Sequence, residues 1–179
     1  MSKEIAVLGA GCFWCSEGIF NSINGVESAI SGFTGGDVDN PTYRQVCDTD
    51  TKHAEVVEIT FDNEVISYPE LLEIFWNIHN PTQLNRQGND VGTQYRSSIF
   101  YTTEEQKNQA EKSLKEFDNG TLYEDKFVTT IEPMRKFWSA EDYHQGYYNA
   151  NPNQPYCSAV VGPKIQKFKK PFGAMGWLN

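Results

Sequence analysis

Apolar and polar positions alternate between two periods along this chain. Ile5, Ala6, Val7 and Leu8 form a short apolar run that reads as a buried strand. Beyond the segment G-A-G-C-F-W-C-S at Gly9 to Ser16, Phe13, Ile19, Phe20 and Ile23 fall roughly on one side of a helix that Gly25 stops. Residues 26–33 alternate as a strand, Thr34-Gly35-Gly36-Asp37 makes a turn, and the chain then runs as a loop through Asn40-Pro41-Thr42-Tyr43 to Cys47. The β-branched stretch 53–61 predicts a further strand. Ser67-Tyr68-Pro69-Glu70 is a capping box with proline in the first turn, opening a helix through Leu71, Leu72, Ile74, Phe75 and Ile78.

Residues 79–96 are a long polar segment, predicted to be a functional loop rather than a disordered linker because charge runs are few. A strand follows at 97–101, and Thr102-x-x-Glu105 caps a charged amphipathic helix ending near Gly120. Residues 127–131 predict a strand, Ser139-Ala140-Glu141-Asp142 a short aromatic-rich helix, and the chain from Gly146 an irregular tail carrying Cys157. Strands alternating with helices, without repeat or linker, predict one α/β or α+β domain over residues 1–179.

Composition narrows the partners. The chain has 179 residues, enough for one sizeable core, and 39% of them are hydrophobic. A net charge of -9 argues against nucleic acid or an anionic membrane surface, both of which need a basic footprint. No apolar run approaches the roughly 18 residues needed to span a bilayer. Residues 1–5 lead straight into a strand with no signal-like apolar region, which predicts a cytoplasmic protein. In that reducing compartment four cysteines are reactive or buried rather than structural disulfides.

The chemistry gathers at Gly9 to Ser16. Gly9-Ala10-Gly11 after a strand imitates a dinucleotide-binding turn, but Trp14 stands where the third glycine belongs and would block the helix packing. Cys12 and Cys15 form C-x-x-C, a spacing suited to dithiol chemistry, to half a zinc site or to two buried thiols. No second C-x-x-C or H-x-x-x-H is present, so zinc is disfavoured. Cys12 falls where a strand turns into a helix, and a helix N-terminus stabilises a thiolate. Glu55 read alone is the solvent-facing member of an alternating strand. His53 and His144 read as structural, and Cys47 as structural or incidental.

Taken together, these landmarks resemble a known family. G-C-F-W at Gly11 to Trp14, P-T-Y ending at Tyr43, H-A-E-V-V at His53 to Val57, N-R-Q-G-x-D-V-G-T-Q-Y-R-S at Asn85 to Ser97 and A-E-D-Y-H-Q at Ala140 to Gln145 occur in the order seen in A-type peptide-methionine sulfoxide reductases. The resemblance implies an α+β plait: a mixed sheet flanked by helices, with a ferredoxin-like two-layer core and an irregular C-terminal tail. It implies reduction of the S epimer of methionine sulfoxide, a repair of oxidative damage. Cys12 matches the nucleophile and Glu55 the proton donor. Tyr43 and Tyr95 match the hydroxyls on the sulfoxide oxygen, Asp90 a carboxylate ordering this polar shell, and Phe13 and Trp14 the apolar wall around the S-methyl group.

A glutamate with an ordinary pKa of about 4.3 would be ionised at neutral pH, so that role requires burial. Two cysteines match resolving thiols: Cys15, and Cys157 in the tail. Cys157 is preferred, because a Cys12–Cys15 bridge would distort the first helical turn. The resemblance implies thioredoxin as reductant and no cofactor or metal; the chain is expected to be a monomer. One departure stands out: Lys52 occupies the position before His53 where relatives carry glycine, and lysine resists the positive φ that glycine permits, so a different turn is expected there.

Overall fold

The computed structural model describes residues 2–11, 13–88 and 90–141. Cys12, Asn89 and residues 142–179 lie outside them, and with them Cys157, His144, the tail and most of the A-E-D-Y-H-Q motif.

The apolar run predicted near the N-terminus is β1 (Lys3–Ala10), followed by α1 (Phe13–Phe20) and β2 (Val26–Thr34). A six-residue helix, α2 (Tyr43–Asp48), then replaces the expected loop. The Thr42 side chain accepts the Gln45 backbone N–H while the Gln45 side chain accepts the Thr42 N–H, a reciprocal cap strong enough to hold one and a half turns. β3 (Ala54–Asp62) and α3 (Tyr68–Ile78) follow, α3 opening on the predicted Ser67/Glu70 box.

The polar segment at 79–96 is built rather than irregular: β4 (Arg86–Gln87) and β5 (Asp90–Val91) pair as a small hairpin, and a 3-10 turn spans Thr93–Tyr95. β6 (Ser97–Tyr101) and α4 (Glu104–Phe117) come next, with Thr103, not Thr102, as the cap, its hydroxyl accepting the Gln106 N–H. β7 is Thr130–Pro133, later than expected. Ser139 does not open a helix but lies in β8 (Trp138–Ser139), because Phe33 and Gly32 of β2 take Trp138 and Ser139 as antiparallel partners.

The main sheet runs β7-β6-β1-β3-β2-β8, antiparallel except for the parallel β6–β7 pair. Its central part, β6-β1-β3-β2 with α1 and α3 as the connecting helices, has the order expected of a ferredoxin-like βαββαβ core. The mixed sheet with flanking helices is therefore the predicted fold class.

Side-chain alternation divides the sheet into two faces. Ala6, Leu8, Val57, Ile59 and Phe61 pack with Ile19, Phe20, Leu71, Leu72 and Phe75 of α1 and α3 in the larger core. Val7, Ala54, Val56 and Phe100 form a smaller cluster on the opposite face, covered by Met134 and Phe137. Apolar residues on both faces explain why β1 and the centre of β3 read as continuous apolar runs. α4 docks on α3 through Ala110, and the buried Trp76 indole N–H donates to Ser113 Oγ at 2.8 Å. Among the described residues no helix is long and apolar enough to cross a membrane.

Candidate active site

Glu55 belongs to the inward face of β3. It shares parity with Val57, Ile59 and Phe61, and its register partner on β2 is Phe33, itself wholly buried. The solvent-facing reading of Glu55 is thus overturned: the residue is 1% exposed. One carboxylate oxygen, Oε1, accepts the backbone N–H of Phe13 at 3.2 Å, at the start of α1. The other, Oε2, has no hydrogen-bond partner among the described residues.

Burial pushes the Glu55 pKa up to about 8, against the opposing pull of the Phe13 N–H; the electrostatic influence of Asp90 and Cys15 raises it further. A carboxylic acid in this position keeps its proton at neutral pH. That is the property a donor to a sulfoxide oxygen needs.

An aromatic wall stands beside it. The Phe13 ring lies 5.5 Å from that of Phe33 and 5.9 Å from that of Tyr43, and Trp14 stacks on Tyr43 at 6.3 Å between centroids. Tyr43 opens α2, where its backbone N–H donates to Glu141 Oε1 at 2.9 Å. Burial raises the Tyr43 phenol pKa strongly, with Glu55, Cys47 and Tyr95 adding to the shift. Tyr43 therefore acts as a neutral hydroxyl.

Tyr95 and Asp90 arrive on the 79–96 segment, and the segment's fastening accounts for their position. Gln87 closes its base, accepting the Asn80 N–H at 2.8 Å and donating to the Asn80 carbonyl at 3.0 Å. The same side chain lies over Gly11, where an added Cβ would come within 2.7 Å of Gln87 Cγ; Gly11 also has φ +85°, so glycine is required there twice over. At the segment's ends, His79 Nε2 and Ser97 Oγ are 2.7 Å apart.

The turn before Glu55 keeps its left-handed residue despite the lysine. Lys52 has φ 66°, so the expected change of turn does not occur. Arg96 holds it, donating from Nη1 to the Lys52 and Thr93 carbonyls, each at 3.0 Å. His53 is structural as predicted: Nδ1 accepts the Gly36 N–H and Nε2 lies 2.6 Å from the Val38 carbonyl.

Of the residues picked from sequence, Phe13, Trp14, Tyr43, Glu55, Asp90 and Tyr95 converge on one end of the sheet, linked by ring contacts, a hydrogen bond and mutual electrostatics. Cys15 is 2% exposed and packed in the main core. Cys12 and Cys157 lie outside the described residues. Four contributors were missed. Phe33 carries no motif of its own, whereas Arg96 and Glu141 stand inside the segments Asn85 to Ser97 and Ala140 to Gln145 with no role attached to them there. Cys47 does have a signal: it follows Tyr43 by one helical turn, and burial pushes its thiol pKa up, with Glu55 adding to the rise. Among the described residues no group of three or more His, Cys, Asp or Glu is placed to hold a metal ion.

A buried acid, an aromatic wall and a cysteine preceding Phe13 in the chain belong to the class of thiol-based oxidoreductases. Comparison with known proteins agrees. The family described as peptide methionine sulfoxide reductase matches residues 4–175. A peptide methionine sulfoxide reductase MsrA of Leptospira borgpetersenii is 54% identical over 167 residues, 93% of this chain and 94% of that one. One from Sulfolobus acidocaldarius is 54% identical over 173 residues, covering 94% and 95%. Among solved structures, reduced Mxr1 from Saccharomyces cerevisiae superposes with a TM-score of 0.78 at 32% identity, over 85% of this chain and 87% of that one. Methionine sulfoxide reductase A of Corynebacterium diphtheriae gives 0.76 at 34% identity, over 85% and 76%. The chain belongs to the peptide methionine sulfoxide reductase family, and its activity is methionine sulfoxide reduction.

Proposed function

We propose that this single catalytic domain, residues 1–179, reduces the S epimer of methionine sulfoxide in oxidised proteins and peptides. The Cys12 thiolate attacks the sulfoxide sulfur while Glu55 delivers its proton to the oxygen. Tyr43 and Tyr95 hydrogen-bond that oxygen, Asp90 orders the polar shell, and Phe13 and Trp14 receive the S-methyl group. Methionine leaves, and Cys12 carries the oxygen away as a sulfenic acid. The sulfoxide has gained two electrons and the cysteine has lost them. A second thiol then condenses with the sulfenic acid, releasing water and leaving a disulfide.

The observation that carries this reading is Glu55: buried, one oxygen anchored on the Phe13 N–H and the other unpartnered among the described residues. Cys157, in the tail at residues 146–179, is the preferred resolving thiol. Burial of Cys15 supports that choice, since a bridge from it would require the first turn of α1 to rearrange. An external dithiol reopens the disulfide, and thioredoxin fits. The yeast protein Mxr1 has been solved in complex with Trx2, a property of that protein which makes thioredoxin the first reductant to try. The domain needs no cofactor or metal for this cycle and acts as a monomer. The exposed thiol of Cys47 is in keeping with the reducing cytoplasm.

The test is NADPH consumption with thioredoxin and thioredoxin reductase, on separate S and R sulfoxide peptides. Turnover of the S epimer alone, abolished in Cys12→Ser, supports the reading. Activity with dithiothreitol but not thioredoxin removes that reductant, and silence with both removes the function. Mass mapping of the oxidised chain decides the resolver, a Cys12–Cys15 bridge alone excluding Cys157.

A further inference from the structure

The stretches of backbone that bring Tyr43, Glu55 and Tyr95 to the site meet at one side chain that the cycle above does not use. We propose that Arg96 is a positioning residue for the reaction: its guanidinium joins the turn before Glu55 to the turn that carries Tyr95, and so holds the proton donor and the hydroxyl in register. The proposal rests on the reading of the site given under Proposed function.

Each nitrogen of the guanidinium supports it. Nη1 donates to two carbonyls, those of Lys52 and Thr93, each at 3.0 Å. Lys52 stands three residues before Glu55, in the left-handed turn that leads into β3, and Thr93 two residues before Tyr95, in the 3-10 turn. Nη2 lies against the turn that leaves β2 towards α2 and Tyr43, where a Cβ added at Gly35 would come within 2.9 Å of it. Nε faces Glu132 Oε2 at 3.5 Å, and the same oxygen accepts the Thr130 hydroxyl at 2.7 Å, which keeps the guanidinium aimed. The Arg96 side chain is 13% exposed, so these contacts are largely withdrawn from water.

Proton delivery from Glu55 and hydrogen bonding from Tyr95 act on one sulfoxide oxygen, and their effect depends on reaching it together. Local hydrogen bonds do not set that separation. The 3-10 turn is closed by the Tyr95 N–H on the Gly92 carbonyl at 3.0 Å, and β3 is held by β1 and β2. A bond from one turn to the other does set it. Arginine suits the task because its planar fork fixes several donors at once, whereas a lysine ammonium is a single point of charge. Arg96 takes no part in the proton or electron transfers.

Arg96→Lys keeps the charge and removes the fork; Glu132→Gln keeps the fork and removes its countercharge. Reduced enzyme is mixed with the S-sulfoxide peptide in the absence of reductant, and methionine release is followed through a single turnover, per folded chain counted by circular dichroism. Arg96→Lys should slow release about tenfold, with the half-saturating peptide concentration within about twofold of the parent. Glu132→Gln should release methionine within about twofold of the parental rate. On a Tyr95→Phe background the loss from Arg96→Lys should shrink to about threefold, because one of the two groups it positions is gone. A parental rate in Arg96→Lys overturns the proposal. So does an equal loss in Glu132→Gln, which would reduce the role to charge, or an undiminished loss on top of Tyr95→Phe. Parent and Cys12→Ser are run alongside: an inactive parent, or an active Cys12→Ser, refutes the underlying reading of the site, whereas failure of the Arg96 arms alone refutes only this inference.

Discussion

The backbone N–H of Phe13 donates to Glu55 Oε1 at 3.2 Å, joining the first residue of α1 to the second residue of β3. This contact sets the orientation of the acid. With Oε1 engaged on the helix and Oε2 unpartnered among the described residues, the carboxyl group carries its proton on the side away from Phe13.

Glu55→Gln keeps the acceptor and removes the acid. Reduction of the S-sulfoxide should fall roughly 10²- to 10⁴-fold in kcat/KM, the usual contribution of a positioned general acid. In the parent, the alkaline limb of the pH profile should follow loss of the Glu55 proton near pH 8. Stability should fall with rising pH as well, over a wider window. Between the ordinary carboxylate range and about pH 8, the folded chain keeps a proton that the unfolded chain has lost, so stability falls as pH rises across that window. Glu55→Gln escapes this loss and should gain on the order of 2 kcal/mol over the parent at pH 9. Urea unfolding at pH 5 and pH 9 checks it: an equal difference at both would contradict the buried, raised acid.

Tyr43→Phe and Tyr95→Phe each remove one hydroxyl facing the site while keeping the ring. Each should cost about tenfold in kcat, and the pair about a hundredfold or more. Because Tyr43 also stacks between Phe13 and Trp14, Tyr43→Ala should raise KM as well, which Tyr43→Phe should not. Steady-state kinetics of the three variants separates hydroxyl from ring.

Lys52 holds a positive φ of 66°. That conformation costs a lysine about 1 kcal/mol relative to glycine. Its exposed ion pair with Asp50 returns little. Lys52→Gly should therefore raise the unfolding midpoint by about 2–4 °C, and calorimetry showing a fall would mean the strain is absent.

Tyr68, 2% exposed on α3, buries a hydroxyl with no hydrogen-bond partner among the described residues. Tyr68→Phe keeps the ring and removes the desolvated oxygen, and should stabilise the chain by about 1 kcal/mol. A loss of stability on chemical unfolding would show that the hydroxyl is satisfied in solution.

Local signals read correctly wherever the cause was local. The Ser67/Glu70 box opens α3 as predicted, because its hydrogen bonds close within a single turn. The box at Thr42 and Gln45 carries the same information for α2, a helix of only six residues. β8 had no such signal: two residues count as a strand only because Gly32 and Phe33 offer them free backbone groups. The β4–β5 hairpin likewise depends on Gln87 being anchored to Asn80.

The same division runs through the site. Sequence alone determined the residue types, their order and the family they resemble, since those are properties of the string. It also determined that β1 is buried and that β3 is a strand, since hydrophobic pattern follows burial. Whether Glu55 is a solvated carboxylate or a protonated acid was decided only in three dimensions. Phe33 across the sheet, the Phe13 N–H at the head of α1 and Asp90 on the hairpin come from separate stretches of chain, and together they set its charge. Desolvation and electrostatics depend on distance in space, and separation along the chain does not encode that distance.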